Sequence, residues 1–167
     1  MNKDIILLIG MPGCGKSTIG KLLAEKLNYD FCDMDKYIEE REGKTIKEIF
    51  LLGEDVFRNI ESEVCIELNN LKKTVIASGG GIVKRKENIE AFNKRSTIIY
   101  IDRPVENIIK DININDRPLL QEGREKLYKL YNERCNLYNS FCHYKVFNDK
   151  SIEDILDNIC FQFGYFI

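Results

Sequence analysis

Eight consecutive residues, Gly10-Met11-Pro12-Gly13-Cys14-Gly15-Lys16-Ser17, match the pattern GxxxxGK[ST] without a mismatch. Each residue type in that pattern serves phosphate chemistry. Glycines let the backbone curl until successive N–H groups point at phosphate oxygens, and a helix starting there adds positive potential. Lys16 has the reach to meet β and γ phosphates, and the Ser17 hydroxyl is suited to ligate Mg²⁺. The apolar run Ile5–Ile9 leads in, and a helix-forming stretch from Lys16 leads out. Gly10 through Thr18 are therefore expected to hold a nucleotide by its phosphates. A chance glycine-rich turn would not explain an unbroken motif in that setting. The loop alone leaves a kinase, a GTPase switch and a motor open. DxxG is absent and no NKxD follows the fourth apolar strand, so the parts of a GTPase are missing. A small-molecule kinase is the expectation.

Several other segments carry chemistry that an acceptor would need. Asp33 and Asp35 close an apolar strand two residues apart, a spacing that sends both carboxylates to one face at the carboxyl edge of a sheet. One could serve a Mg²⁺ shell, and the other could orient or deprotonate a hydroxyl; a solvated strand end with an Asp capping the next helix is the plainer alternative. Arg58 and Glu61 lie i and i+3 on a helix. They read either as a surface pair worth about 0.2–0.5 kcal/mol or as an Arg fork for a carboxylate, oriented by Glu61. Gly79-Gly80-Gly81 after an apolar strand asks for close backbone approach, a tight turn being the alternative. Arg117 sits in a long segment of weak periodicity, where a cation can swing onto a transferring phosphoryl group. Arg134 and Tyr138 share a helix face at i and i+4, and this second Arg would complete a clamp for an anionic acceptor.

The elements that must position these residues alternate along the chain. Strands are predicted at Ile5–Ile9, Tyr29–Asp33, Val75–Ser78, Thr97–Asp102 and His143–Val146. Helices are predicted at Lys16–Leu27, Met34–Arg41, Thr45–Leu51, Gly53–Leu71, Lys86–Asn93, Val105–Asp111, Arg124–Asn139 and Ser151–Phe163, the last with Ser151 and Asp154 placed to cap it. Strands separated by helices imply right-handed crossovers and a parallel sheet covered on both faces, an α/β three-layer architecture. Residues 112–123 read as a functional loop, a lid between two helices. Without repeats or linkers, residues 1–167 are expected to form a single domain.

Composition narrows the partners. The 167 residues are 44% hydrophobic and 31% charged with a net charge of −2, so no general affinity for nucleic acid or an anionic membrane is expected. The first apolar run is too short for a signal peptide or a membrane span, and a cytoplasmic protein is expected. Cysteines at 14, 32, 65, 135, 142 and 160 form no CxxC pair, and reduced, mostly buried thiols are expected. In the phosphate loop, helix-end potential favours a Cys14 thiolate whose alkylation or oxidation would block ATP; an inert loop residue is the alternative.

In chain order, GMPGCGKS at 10–17, DMD at 33–35, FRNIE at 57–61, SGGG at 78–81, RPLL at 117–120 and RCNLY at 134–138 resemble the shikimate kinase family of the nucleoside-monophosphate-kinase-like P-loop proteins. The resemblance spans nearly the whole chain. It implies five parallel strands in the order 2-3-1-4-5, flanked by helices, with a mobile lid. It also implies an activity: ATP-dependent phosphorylation of the 3-hydroxyl of shikimate to shikimate 3-phosphate, on the route to chorismate and the aromatic amino acids. ATP and Mg²⁺ would be the cofactors, and a monomer is expected.

The resemblance also assigns roles. Lys16 and Ser17 would serve the ATP phosphates and Mg²⁺, with Asp33 near the metal's water shell. Asp35 would contact the reacting hydroxyl. Arg58 and Arg134 would grip the shikimate carboxylate, with Glu61 positioning Arg58, while the backbone at Gly79, Gly80 and Gly81 would lie against the ring. Arg117 would close over the phosphates. Seven residues before Arg117, where many members carry an adenine-stacking Arg, this chain has Lys110, which keeps the charge but lacks the planar guanidinium. Gluconate kinase is the nearest rival, separated by Asp35, Arg58, the triple glycine and Arg134. A nucleotide-gated binding protein without turnover would have little need of Arg117, and a nucleoside-monophosphate kinase would need a base-reading pocket that the sequence does not offer.

Overall fold

Strand β1 (Ile5–Ile9) consists of five apolar residues that are all buried, the signature of a strand covered on both faces. It occupies the centre of a five-stranded parallel sheet. β3 (Thr74–Ala77) pairs with it on one side and β4 (Ser96–Asp102) on the other, with Ile5 opposite both Thr74 and Ser96. β2 (Asp30–Asp33) adds to β3 and β5 (Tyr144–Phe147) adds to β4, so the order is β2-β3-β1-β4-β5. This is the order that the resemblance implies. Only the two edge strands carry exposed positions. The computed structural model describes residues 4–111 and 124–162.

Eight helices are described: α1 (Lys16–Leu27), α2 (Met34–Glu42), α3 (Ile46–Leu51), α4 (Glu54–Leu68), α5 (Lys86–Asn93), α6 (Val105–Asp111), α7 (Arg124–Phe141) and α8 (Ile152–Gln162). Their ends follow local chemistry. Thr45 and Glu48 form a reciprocal capping box at the start of α3. At α8, Ser151 Oγ accepts from the Asp154 N–H at 3.2 Å, as its sequence suggests. α4 stops at Leu68, three residues short of the predicted end. Asn69 caps it there, and Asn70 turns its amide back onto the Ile66 carbonyl at 3.1 Å. A short 3₁₀ turn over Ile82–Lys84, which periodicity does not announce, follows the triple glycine.

Besides α1, which opens with the buried Lys16, two helices carry charge on their buried stripe. α4 buries Phe57, Arg58, Glu61, Val64, Cys65 and Leu68, and α7 buries Leu127, Arg134 and Tyr138. Charged groups in register with core residues are costly unless they meet partners or a ligand. The predicted lid with Arg117, and the last residues 163–167, lie outside the described residues.

Candidate active site

The carboxyl ends of the strands open onto a cleft of about 1060 Å³, where ligands of open α/β sheets bind. One wall is the phosphate loop. Gly10 adopts φ 146°, and a Cβ there would stand 2.5 Å from the Ile101 carbonyl oxygen, so β4 and the loop can pack only on a glycine. Gly15, at φ 100°, opens α1 without a side-chain cap, an arrangement that suits a helix N-terminus receiving an anion. Lys16 is buried, and its Nζ donates to the Gly10 and Met11 carbonyls at 2.9 and 2.8 Å. Pro12, Gly13, Gly15, Lys16, Ser17 and Thr18 line the cleft. Met11 and Cys14 are instead packed beneath the loop. Cys14 is fully buried with its Sγ 3.7 Å from Lys16 Nζ, so a reagent has little access to it.

Asp33 and Asp35 both line this cleft, but not by strand periodicity. β2 ends at Asp33, whose Oδ1 accepts from the Lys36 N–H at 3.3 Å and caps α2; Asp35 belongs to that helix's first turn. The capping and the functional readings of Asp33 therefore coexist. Its Oδ2 accepts from Ser17 Oγ at 2.7 Å, joining a hydroxyl and a carboxylate as hard oxygen donors. This pair fits Mg²⁺, which takes such oxygens together with water. Burial raises the Asp35 pKa above the ordinary aspartate value, and the neighbouring Asp33 charge adds to the rise.

On the opposite wall, Arg58 Nη1 donates to Glu61 Oε2 at 2.7 Å, both side chains being almost fully buried. Arg58 also donates from Nε and Nη2 to Glu54 Oε1, at 3.3 Å each, and Glu54 in turn takes Lys84 Nζ. Phe57 lies under the guanidinium, with Arg58 Cζ 5.0 Å from its ring centroid, and stacks on Phe50. Burial raises the Glu61 pKa, opposed by the Arg58 charge. Glu61 Oε1 and Arg134 Nε are buried without a hydrogen-bond partner among the described residues, an acceptor and a donor within one cleft.

The triple glycine joins these walls by close approach. A Cβ at Gly79 would lie 2.9 Å from Asp35 Oδ1, one at Gly80 would lie 2.7 Å from Pro12 Cδ, and one at Gly81 would lie 2.6 Å from Arg58 Cζ. Neither a bare turn nor a ligand alone explains the glycines: the cleft's own side chains already fill the space. Tyr138 Oη donates to the Gly80 carbonyl, which fixes α7, and Arg134 one turn earlier, against this segment.

Not every expected residue meets the cleft. Lys110 is exposed and does not line it, whereas Arg103 does. Glu54, Lys84, Phe50 and Arg103 escaped the sequence reading. Glu54 had a signal, four residues before Arg58 and so on the same helix face; Lys84 and Arg103 had none of comparable specificity.

Comparison with known proteins agrees with this geometry. A family model described as Shikimate kinase matches residues 12–162. A shikimate kinase from Clostridium beijerinckii is 52% identical over 157 residues, covering 94% of this chain and 93% of its own length. Another, from Clostridium botulinum, is 51% identical over 157 residues, covering 94% and 95%. The solved structure of a shikimate kinase from Acinetobacter baumannii in complex with shikimate superposes with a TM-score of 0.91 at 35% identity, covering 97% of this chain and 93% of that one. A family match over nearly the full length, half-identical relatives and a shared three-layer fold leave one placement: this chain belongs to the shikimate kinase family.

Proposed function

We propose that this chain transfers the γ-phosphoryl group of ATP to the 3-hydroxyl of shikimate, forming shikimate 3-phosphate for chorismate and aromatic amino acid synthesis. One observation carries the reading: Arg58 and Arg134, both buried, line the same cleft as Asp35 and the phosphate loop. Two guanidinium groups can grip a carboxylate while an aspartate faces a hydroxyl at the phosphate end.

Bound ATP and Mg²⁺ supply the phosphoryl group and part of the charge neutralisation. The phosphate-loop N–H groups and Lys16 orient the phosphates, and Ser17 and Asp33 hold the metal shell. Phosphoryl transfer runs through a loose transition state, so alignment and charge placement dominate. Asp35 aligns the hydroxyl and receives its proton, and its raised pKa suits that task. Arg58, held by Glu61 and Glu54, meets the shikimate carboxylate together with Arg134. Gly79, Gly80 and Gly81 leave room for Asp35, Pro12 and Arg58 around the place proposed for the ring. Arg117, which lies outside the described residues, would meet the phosphates; Lys110, exposed and away from the cleft, is left without a part in the transfer.

The same reading makes residues 1–167 one domain acting as a cytoplasmic monomer, without nucleic acid or membrane as partner. No helix among the described residues is long and apolar enough to cross a membrane. A coupled ADP-release assay offering shikimate, gluconate and AMP separately tests the assignment. ADP release with gluconate or AMP but not shikimate overturns it.

A further inference from the structure

The phosphate loop is braced from behind through its carbonyl oxygens. Lys16 Nζ takes those of Gly10 and Met11. Asn148, just past β5, donates from Nδ2 to the Cys14 carbonyl at 2.8 Å. Arg103, just past β4, donates from Nη1 to the Gly13 carbonyl at 3.4 Å and from Nη2 to the Asp111 carboxylate in the last turn of α6. The Cys14 N–H, in the same peptide as the Gly13 carbonyl, donates to the Met11 carbonyl at 3.2 Å and closes a turn. Holding the Gly13 and Cys14 carbonyls therefore fixes the curl on which the loop's phosphate-binding shape depends. Lys16 must leave its carbonyls to reach a phosphate, but Arg103 and Asn148 need not move.

Arg103 is well placed for such a duty. Pro104 follows it, which biases Arg103 to extended backbone, so it runs straight on from the strand. Its side chain is mostly covered, only 21% exposed, while Asp111 is largely open to solvent. It also lines the cleft beside Gly13 and Gly15, the position that Lys110 does not reach.

We infer that Arg103 is a positioning residue of the nucleotide site: clamped by Asp111, it holds the Gly13 turn and so the shape of the phosphate loop, and adds a fixed positive charge there. The inference rests on the ATP reading of the phosphate loop. A charge-assisted contact of this kind is worth about tenfold in affinity.

The test is ATP binding by calorimetry, steady-state kinetics with each substrate varied, and thermal melting for the parent, Arg103→Ala, Arg103→Lys, Asp111→Asn and the Arg103→Ala/Asp111→Asn double variant. Expected is a rise of about tenfold in Kd and KM for ATP in Arg103→Ala, with KM for shikimate within about twofold. Arg103→Lys keeps the charge but not the fork and falls between. Asp111→Asn shows a smaller rise, and the double variant is no worse than Arg103→Ala alone. If ATP affinity in both Arg103 variants matches the parent, or if kcat and Tm fall while both KM values rise together, Arg103 is no more than a surface tie. If the parent binds no ATP, the phosphate-loop reading fails first and takes this one with it.

Discussion

The Cβ that Gly81 lacks would sit 2.6 Å from Arg58 Cζ, so the glycine is a condition for where that guanidinium lies. Gly81 has φ −95°, an angle open to any residue, and the requirement is therefore purely one of space. Arg58 cannot yield freely, since Glu61 and Glu54 hold it from two sides.

Gly81→Ala is expected to push Arg58 off its carboxylates and raise KM for shikimate about tenfold or more, the scale of a charged hydrogen bond. KM for ATP should stay close to the parent value. The check is a double-variant cycle: Gly81→Ala in an Arg58→Ala background should cost little more than Arg58→Ala alone. Additive losses would mean that Gly81 acts independently of Arg58.

Glu61→Gln keeps the shape but removes the charge that meets Arg58 Nη1. Arg58 would then rely on Glu54, a half-exposed side chain already engaged by Lys84. Shikimate affinity should fall about tenfold, the difference between a charged and a neutral acceptor. The loss of stability should be modest, because burial disfavours the Glu61 charge in the first place. Isothermal titration with shikimate, alongside melting curves, separates the two effects.

These neighbours show what the sequence could and could not convey. The phosphate loop is contiguous, so its chemistry is written in one run of letters. Arg58 and Glu61 could be paired because they stand i and i+3 on a helix, but that this face is buried together with Phe57, Val64 and Leu68 emerges only in the structure. Asp35 lines the cleft, but not for the reason of strand alternation, which would have to run two residues past an Asp33 that turns the chain into a helix. Contacts between distant segments stayed hidden. Nothing in the letters says that Lys84 reaches Glu54, that Pro12 meets Gly80, or that Arg103 meets Gly13 across 90 positions. Those depend on the order of strands, which periodicity does not fix.

Arg117→Ala is expected to lower kcat far more than it disturbs shikimate binding. In the proposed role the cation would serve charge that develops on the transferring group, and contributions of this kind appear in kcat. Equal turnover by the variant and the parent at saturating ATP and shikimate would exclude Arg117 from the transfer step.

Asp35→Asn should separate stability from activity. Burial, with Asp33 adding to it, raises the Asp35 pKa, so the folded state binds a proton more tightly than the unfolded chain does. Stability from this group is then greatest at low pH and is lost as pH rises through the folded-state value; above it, the ionised carboxylate is a standing cost. Asparagine removes that cost. The variant should melt higher than the parent at neutral pH, and the difference should shrink as pH falls below about 4, where aspartate becomes protonated in the unfolded chain as well. Activity should move the other way, with kcat falling on the order of 100-fold as alignment and proton acceptance are lost. The parent's kcat/KM for shikimate should rise with pH across an acid limb that lies above the range of a solvated aspartate, and the variant should lack that limb. Melting curves and pH–rate profiles on the two proteins decide it: a variant that melts lower at pH 7 would show that the Asp35 carboxylate stabilises the fold.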